Sequence, residues 1–147
     1  MNFLRATLAA LLLLALAGCS RGPAAIRYGQ DACAHCRMTL VDQRYGAELI
    51  TPKGKILVFD DLGCLLAYQR QSPAANPARE SVYVADFAHA GRLLPAADAL
   101  FLHDAQLRSP MGSSLAAFAT EADRASARQQ LGGASRLLRW PELPRSP

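Results

Sequence analysis

The chain has 147 residues, 51% of them apolar and 19% charged, with a formal net charge of +4. That length suits one compact domain once a leader is removed, since single domains typically run roughly 50–200 residues. The basic excess is mild and forms no cluster interleaved with aromatics, which argues against nucleic-acid binding and leaves Arg128, Arg136 and Arg139 as a solvated face.

Arg5, the apolar run Ala6–Leu16 and the sequence Leu16-Ala17-Gly18-Cys19 form a secretory leader that ends in a lipobox. A run of about eleven apolar residues is too short for a membrane-spanning helix, which needs about 20, so residues 1–18 are expected to be cleaved as a signal peptide. Cys19 would become the lipidated N-terminus, and Ser20 rather than Asp behind it gives an expectation of sorting to the outer membrane of a Gram-negative cell. Residues 19–30 contain Arg21-Gly22-Pro23-Ala24-Ala25 and little apolar periodicity, and they read as a lipid-to-domain tether.

The stretch Asp31-Ala32-Cys33-Ala34-His35-Cys36-Arg37-Met38 is the chemically densest part of the chain. Thiolates and a thioether are soft, polarisable donors, so Cys33, Cys36 and Met38 favour a soft ion such as Cu(I) over Mg²⁺ or Ca²⁺. Zinc also takes thiolates. A disulfide or a redox pair is open on the same spacing, and Met38 could be a core methionine. Haem attachment is excluded, because Arg37 stands where the Cys-x-x-Cys-His motif needs histidine. After processing, Cys33, Cys36 and Cys64 remain, an odd number that fits a ligand set better than a disulfide framework.

Tyr45–Ile50 and Lys55–Phe59 flank Thr51-Pro52-Lys53-Gly54, which predicts a hairpin. Asp60 or Asp61 can cap a short helix over Leu62–Arg70, where Leu62, Leu65 and Leu66 recur at helical spacing. Pro73, Asn76 and Pro77 mark a loop, and Ser81–Asp86 is rich in β-formers. Ala88–Pro95 reads as a loop with one helical turn. Ala99–His103 and Leu115–Ala119 are then predicted strands, Thr120 caps a helix over Glu121–Leu131, and Gly132-Gly133 stops it. Ser135–Trp140 closes the domain as a strand, while residues 141–147 are a proline-rich tail expected to fray. The predicted class is α+β: two consecutive β-β-α-β units over residues 31–140, with helices covering mixed or antiparallel sheets.

Several further residues have two readings. Cys64 lies just inside a helix N-terminus, which favours thiolate, but a buried free cysteine usually serves as a small apolar residue, and that is the preferred reading. Met111, in Ser109-Pro110-Met111-Gly112, sits on a loop rigid enough to present sulfur, though a packing methionine is the simpler reading. His35, His89 and His103 lack the spacing of a two-histidine zinc motif, and His103 is the one placed to join a site near Met111. No Ser-His-Asp pattern, phosphate loop or dinucleotide fingerprint stands out.

Taken together, the lipobox, the Asp31–Met38 stretch, Phe59-Asp60-Asp61-Leu62-Gly63-Cys64 and Ser109-Pro110-Met111-Gly112 resemble the NosL family of copper-binding lipoproteins of nitrous oxide respiration. The resemblance runs from Cys19 to about Phe118. It implies a non-enzymatic, periplasm-facing lipoprotein, anchored through Cys19, that binds Cu(I) and hands it to nitrous oxide reductase and its maturation machinery for assembly of a copper–sulfide centre. It implies Cys33, Cys36, Met38 and Met111 as metal ligands, and two β-β-α-β units related in fold to organomercurial lyase. Two other readings stay open on the residues alone. One is a thiol-disulfide oxidoreductase using Cys33 and Cys36; the other is an interaction module stabilised by zinc on Cys33, Cys36, Cys64 and a histidine.

Overall fold

A computed structural model of the protein describes residues 22–73 and 75–144. The expected leader, its expected cleavage site and Cys19 lie outside the described residues. Among those described, no helix is long and apolar enough to cross a membrane.

Strands β1 (Ala47–Ile50) and β2 (Ile56–Phe59) form the expected antiparallel hairpin. The turn closes through Thr51 and Lys55, with the Thr51 N–H donating to the Lys55 carbonyl at 2.9 Å and Gly54 in the left-handed region at φ 79°. Helix α1 (Leu62–Gln71) follows, then β3 (Ser81–Ala85), which pairs antiparallel with the free edge of β1. Beyond a short β4 (Leu93–Pro95), the order repeats as β5 (Leu100–His103), β6 (Leu115–Phe118), α2 (Glu121–Gln130) and β7 (Arg136–Leu138). The two antiparallel sheets run β2-β1-β3-β4 and β6-β5-β7. In each unit the first strand is central, flanked by the second and third, so the repeated element order is also a repeated topology.

The sheets meet where Asp86 bridges Ala117 and the Phe87 N–H donates to the Ala117 carbonyl at 2.8 Å. Phe59, Leu49, Leu65, Phe101 and Ala117 share one apolar core that runs through both units. Helix α1 buries Leu62, Cys64, Leu65, Leu66 and Ala67. Its N-cap is Asp61, whose carboxylate accepts from the Cys64 N–H. Helix α2 is polar and is capped by Thr120, whose hydroxyl oxygen accepts from the Asp123 N–H. Arg124 alone on α2 is buried, where it pairs with Glu121 at 2.5 Å.

Three segments differ from the sequence expectation. Residues 93–95 form a strand rather than part of a loop with a helical turn; β4 lies at the sheet edge, where Pro95 removes no central ladder bond. The segment expected to be tether is docked on the domain from Ala24 onward. The Ala24 N–H donates to the Glu48 carboxylate at 3.0 Å, and Ile26 and Tyr28 pack against the core. A Cβ on Gly46 would run into the Tyr28 hydroxyl, so the glycine makes room for that strap. The proline-rich tail is likewise fixed at its start: Trp140–Glu142 forms a 3₁₀ turn and Leu143 is buried in the core.

Candidate metal centre

The chain reverses tightly over the sulfur-rich stretch. Ala32 pairs with Thr39 across an antiparallel bridge, the Cys33 N–H donates to the Met38 carbonyl at 2.8 Å, and the Arg37 N–H donates to the Cys33 carbonyl at 3.0 Å. Arg37 takes φ 68°, a left-handed conformation uncommon outside glycine. The Ala34 N–H donates to the Val58 carbonyl at 2.8 Å, which fixes the reversal to β2. Two residues past the end of β2, Asp61 caps α1 and sets Cys64 in its first turn. Reversal and helix start thus converge.

The Sγ atoms of Cys33, Cys36 and Cys64 all lie within 4.8 Å of one another, and all three cysteines are free. Among the described residues, this is the one group of three or more Cys, His, Asp or Glu side chains close enough to share an ion. Cys33 and Cys64 are buried, whereas Cys36 is partly accessible. The cluster is therefore a pocket of sulfur with one side toward solvent.

The three thiols are electrostatically unequal. The Cys64 thiol, donating a hydrogen bond, holds Cys33 far below the usual thiol range, and the backbone N–H groups of Asp60, Cys36 and His35 reinforce the effect against burial. Cys64 is pushed up in turn, first because it donates to Cys33 and then by burial. Cys36 is raised, chiefly by burial. Cys33 is therefore the thiol most readily ionised in the free site, and the cysteines that remain protonated would release protons as a metal takes their sulfurs. Asp60 is buried too; burial first, then the Cys33 charge, raise its carboxyl above the usual range.

Met111 lies on the turn between β5 and β6. That turn is tied to the same helix start, because the Met111 and Ser113 N–H groups donate to Asp61 Oδ2 at 3.2 and 3.4 Å. Both thioether residues are open to solvent, Met38 at 56% and Met111 at 42% exposure. His103 lies on β5 opposite Leu115 and Arg136, and His89 pairs with Asp86 at 3.1 Å. His35 contributes its backbone N–H to Cys33.

Cys64 is the member of the cluster that sequence reasoning left as a packing residue. It is indeed buried, but its neighbours are thiols. The odd cysteine count and its place behind an Asp cap were the available signals; the convergence of residues 33–36 with the first turn of α1 is tertiary. Asp61 was legible as a cap, but its second oxygen's bond to a turn fifty residues on was not.

The NosL family profile matches residues 24–146. Among solved structures, the crystal structure of the copper chaperone NosL from Shewanella denitrificans is similar, with a TM-score of 0.69 at 22% identity, over 82% of this chain and 94% of that one. That likeness concerns the fold. No curated protein matches the chain.

Proposed function

Since the chain belongs to the NosL family, we propose that it is a copper chaperone, a carrier rather than an enzyme, whose cargo is Cu(I) held by cysteine and methionine sulfur. The observation that carries this reading is the convergence of three reduced cysteine sulfurs within 4.8 Å of one another. Such an all-sulfur pocket suits a soft ion. The Cys33 thiolate supplies a charge that neutralises Cu(I), and partly exposed Cys36 is the entry sulfur. Met38 and Met111 complete the proposed donor set from the solvent side, with Cys64 as hydrogen-bond donor to Cys33 and reserve thiol.

This arrangement suits transfer. A neutral thioether is a softer and more easily displaced partner than a thiolate, so an incoming acceptor ligand can replace Met38 or Met111 while the cysteines still hold the ion. Each exchange then changes one bond at a time. The acceptor in this reading is nitrous oxide reductase, with its maturation machinery, during assembly of the copper–sulfide centre. The leader places the protein at the periplasmic face, anchored through lipid on Cys19 and sorted by Ser20 to the outer membrane. Cells given radiolabelled palmitate should label the parent and not a Cys19→Ala variant.

The central test is an anaerobic Cu(I) titration of the protein lacking residues 1–19, against a competing chromophoric chelator, with zinc in parallel. Tight binding of one equivalent that outcompetes zinc is the expected result, weakened in Cys33→Ser and in Met111→Ala. Failure of the reduced protein to retain Cu(I) would return the cysteine pair to thiol-disulfide chemistry.

A further inference from the structure

Asp61 is fully buried, and its two carboxylate oxygens face different parts of the chain. Oδ1 accepts from the Cys64 N–H at 3.0 Å and caps α1. Capping uses only one acceptor, and serine or asparagine would serve as well. Oδ2 accepts instead from the N–H groups of Met111 and Ser113, at 3.2 and 3.4 Å. We propose that Asp61 is a positioning residue of the metal centre: one carboxylate fixes the Met111 turn to the first turn of the Cys64 helix, setting where the Met111 sulfur sits. The inference rests on the copper reading above and adds to it a residue that touches no metal.

The other bonds that hold the turn lie within it or at its base: the Gly112 N–H donates to the Ser109 carbonyl and the Asp104 N–H to the Ser114 carbonyl, each at 3.0 Å. Ser109 braces it from within, its hydroxyl lying 3.1 Å from the Ser113 hydroxyl and accepting from the Ser114 N–H at 3.1 Å. Met111 itself is 42% exposed, so its side chain is not locked into the core. On the helix side, a Cβ added to Gly63 would come within 2.9 Å of Ser113 Cβ and 3.2 Å of Asp61 Oδ1. Glycine there lets the turn lie directly against α1. The carboxylate and the missing side chain therefore act on the same contact, from different residues.

Asp61→Ser is the discriminating variant, because a serine hydroxyl still caps the helix while nothing remains to reach the Met111 turn. If the turn is then seated about one-tenth of the time, the apparent Cu(I) dissociation constant rises roughly tenfold. The experiment is a double-mutant cycle of Asp61→Ser with Met111→Ala on the full chain in detergent, read by Cu(I) competition and by copper X-ray absorption. Met111→Ala should weaken binding and remove one sulfur neighbour; Asp61→Ser should do the same, and the double variant should be no worse than Met111→Ala alone. Gly63→Ala, with Asp61 intact, should show the same non-additivity, and it carries the test if Asp61→Ser does not fold.

Additive losses, or an Asp61→Ser protein with parental affinity and sulfur count, would overturn the positioning role while leaving Met111 a ligand. Parental affinity in Met111→Ala would instead overturn the ligand reading on which the inference stands.

Discussion

Glu48 is fully buried on β1, between Val58 on β2 and Tyr83 on β3. Its Oε1 accepts the Ala24 N–H, while Oε2 is buried with no hydrogen-bond partner among the described residues. Burial raises its pKa above the ordinary 4.5, against the lowering effect of the Ala24 bond. The folded protein therefore keeps a proton that the unfolded chain has released as pH rises above about 4.5, so this residue's contribution to stability falls through that window and levels off above the folded pKa. Glu48→Gln keeps the shape and an oxygen for Ala24 but cannot ionise. Between pH 4 and pH 8 the stability of the variant relative to the parent should rise by about 1.4 kcal/mol for each unit by which burial lifts the folded carboxyl above 4.5. For a domain of this size that raises the melting temperature by roughly 3–6 °C per kcal/mol. Urea denaturation of both proteins from pH 4 to 8 isolates the effect, because other titrating groups cancel in the difference. A difference that stays constant with pH, or that turns against the variant as pH rises, would refute the argument.

Two other predictions follow from the same geometry. Cys64→Ala removes the donor that holds Cys33 low, so in the apo protein the first thiolate absorbance should appear at higher pH, nearer the ordinary thiol value of 9.0; an unchanged ultraviolet titration would count against the hydrogen bond. Leu65→Ala, at a fully buried position of the shared core, should cost about 2–5 kcal/mol in denaturant melts. A loss below about 1 kcal/mol would mean that the site relaxes far more than close packing allows.

The parts legible in the sequence are those governed by local rules. The β1–β2 hairpin follows from a Pro and Gly turn between β-forming runs, and both helices begin at the caps that Asp61 and Thr120 announce. The misread parts depend on distant partners. Ile26 and Tyr28 are the two large apolar residues in a stretch otherwise of small, polar and charged ones, and nothing local reveals that Glu48 and Gly46 receive that segment. Leu143 is hidden in the same way between prolines. Leu93-Leu94-Pro95 is too short to signal a strand, and it becomes one because β3 offers an open edge. At the metal centre, Cys33 and Cys36 could be paired from spacing, whereas Cys64 joins them only when β2 delivers α1 to the reversal.

The strap from Ala24 to Gln30 also sets a length. On the proposed anchoring at Cys19, a tether running to Asp31 would let the domain stand as much as about 40 Å from the bilayer, but one that ends at Ala24 spans at most about 17 Å when fully extended. That is less than the width of a domain this size, whose radius of gyration is about 13 Å. A lipidated protein so tethered could not swing its sulfur pocket freely in every direction. Its acceptor would have to come to the membrane surface, and would meet the pocket from a restricted range of angles.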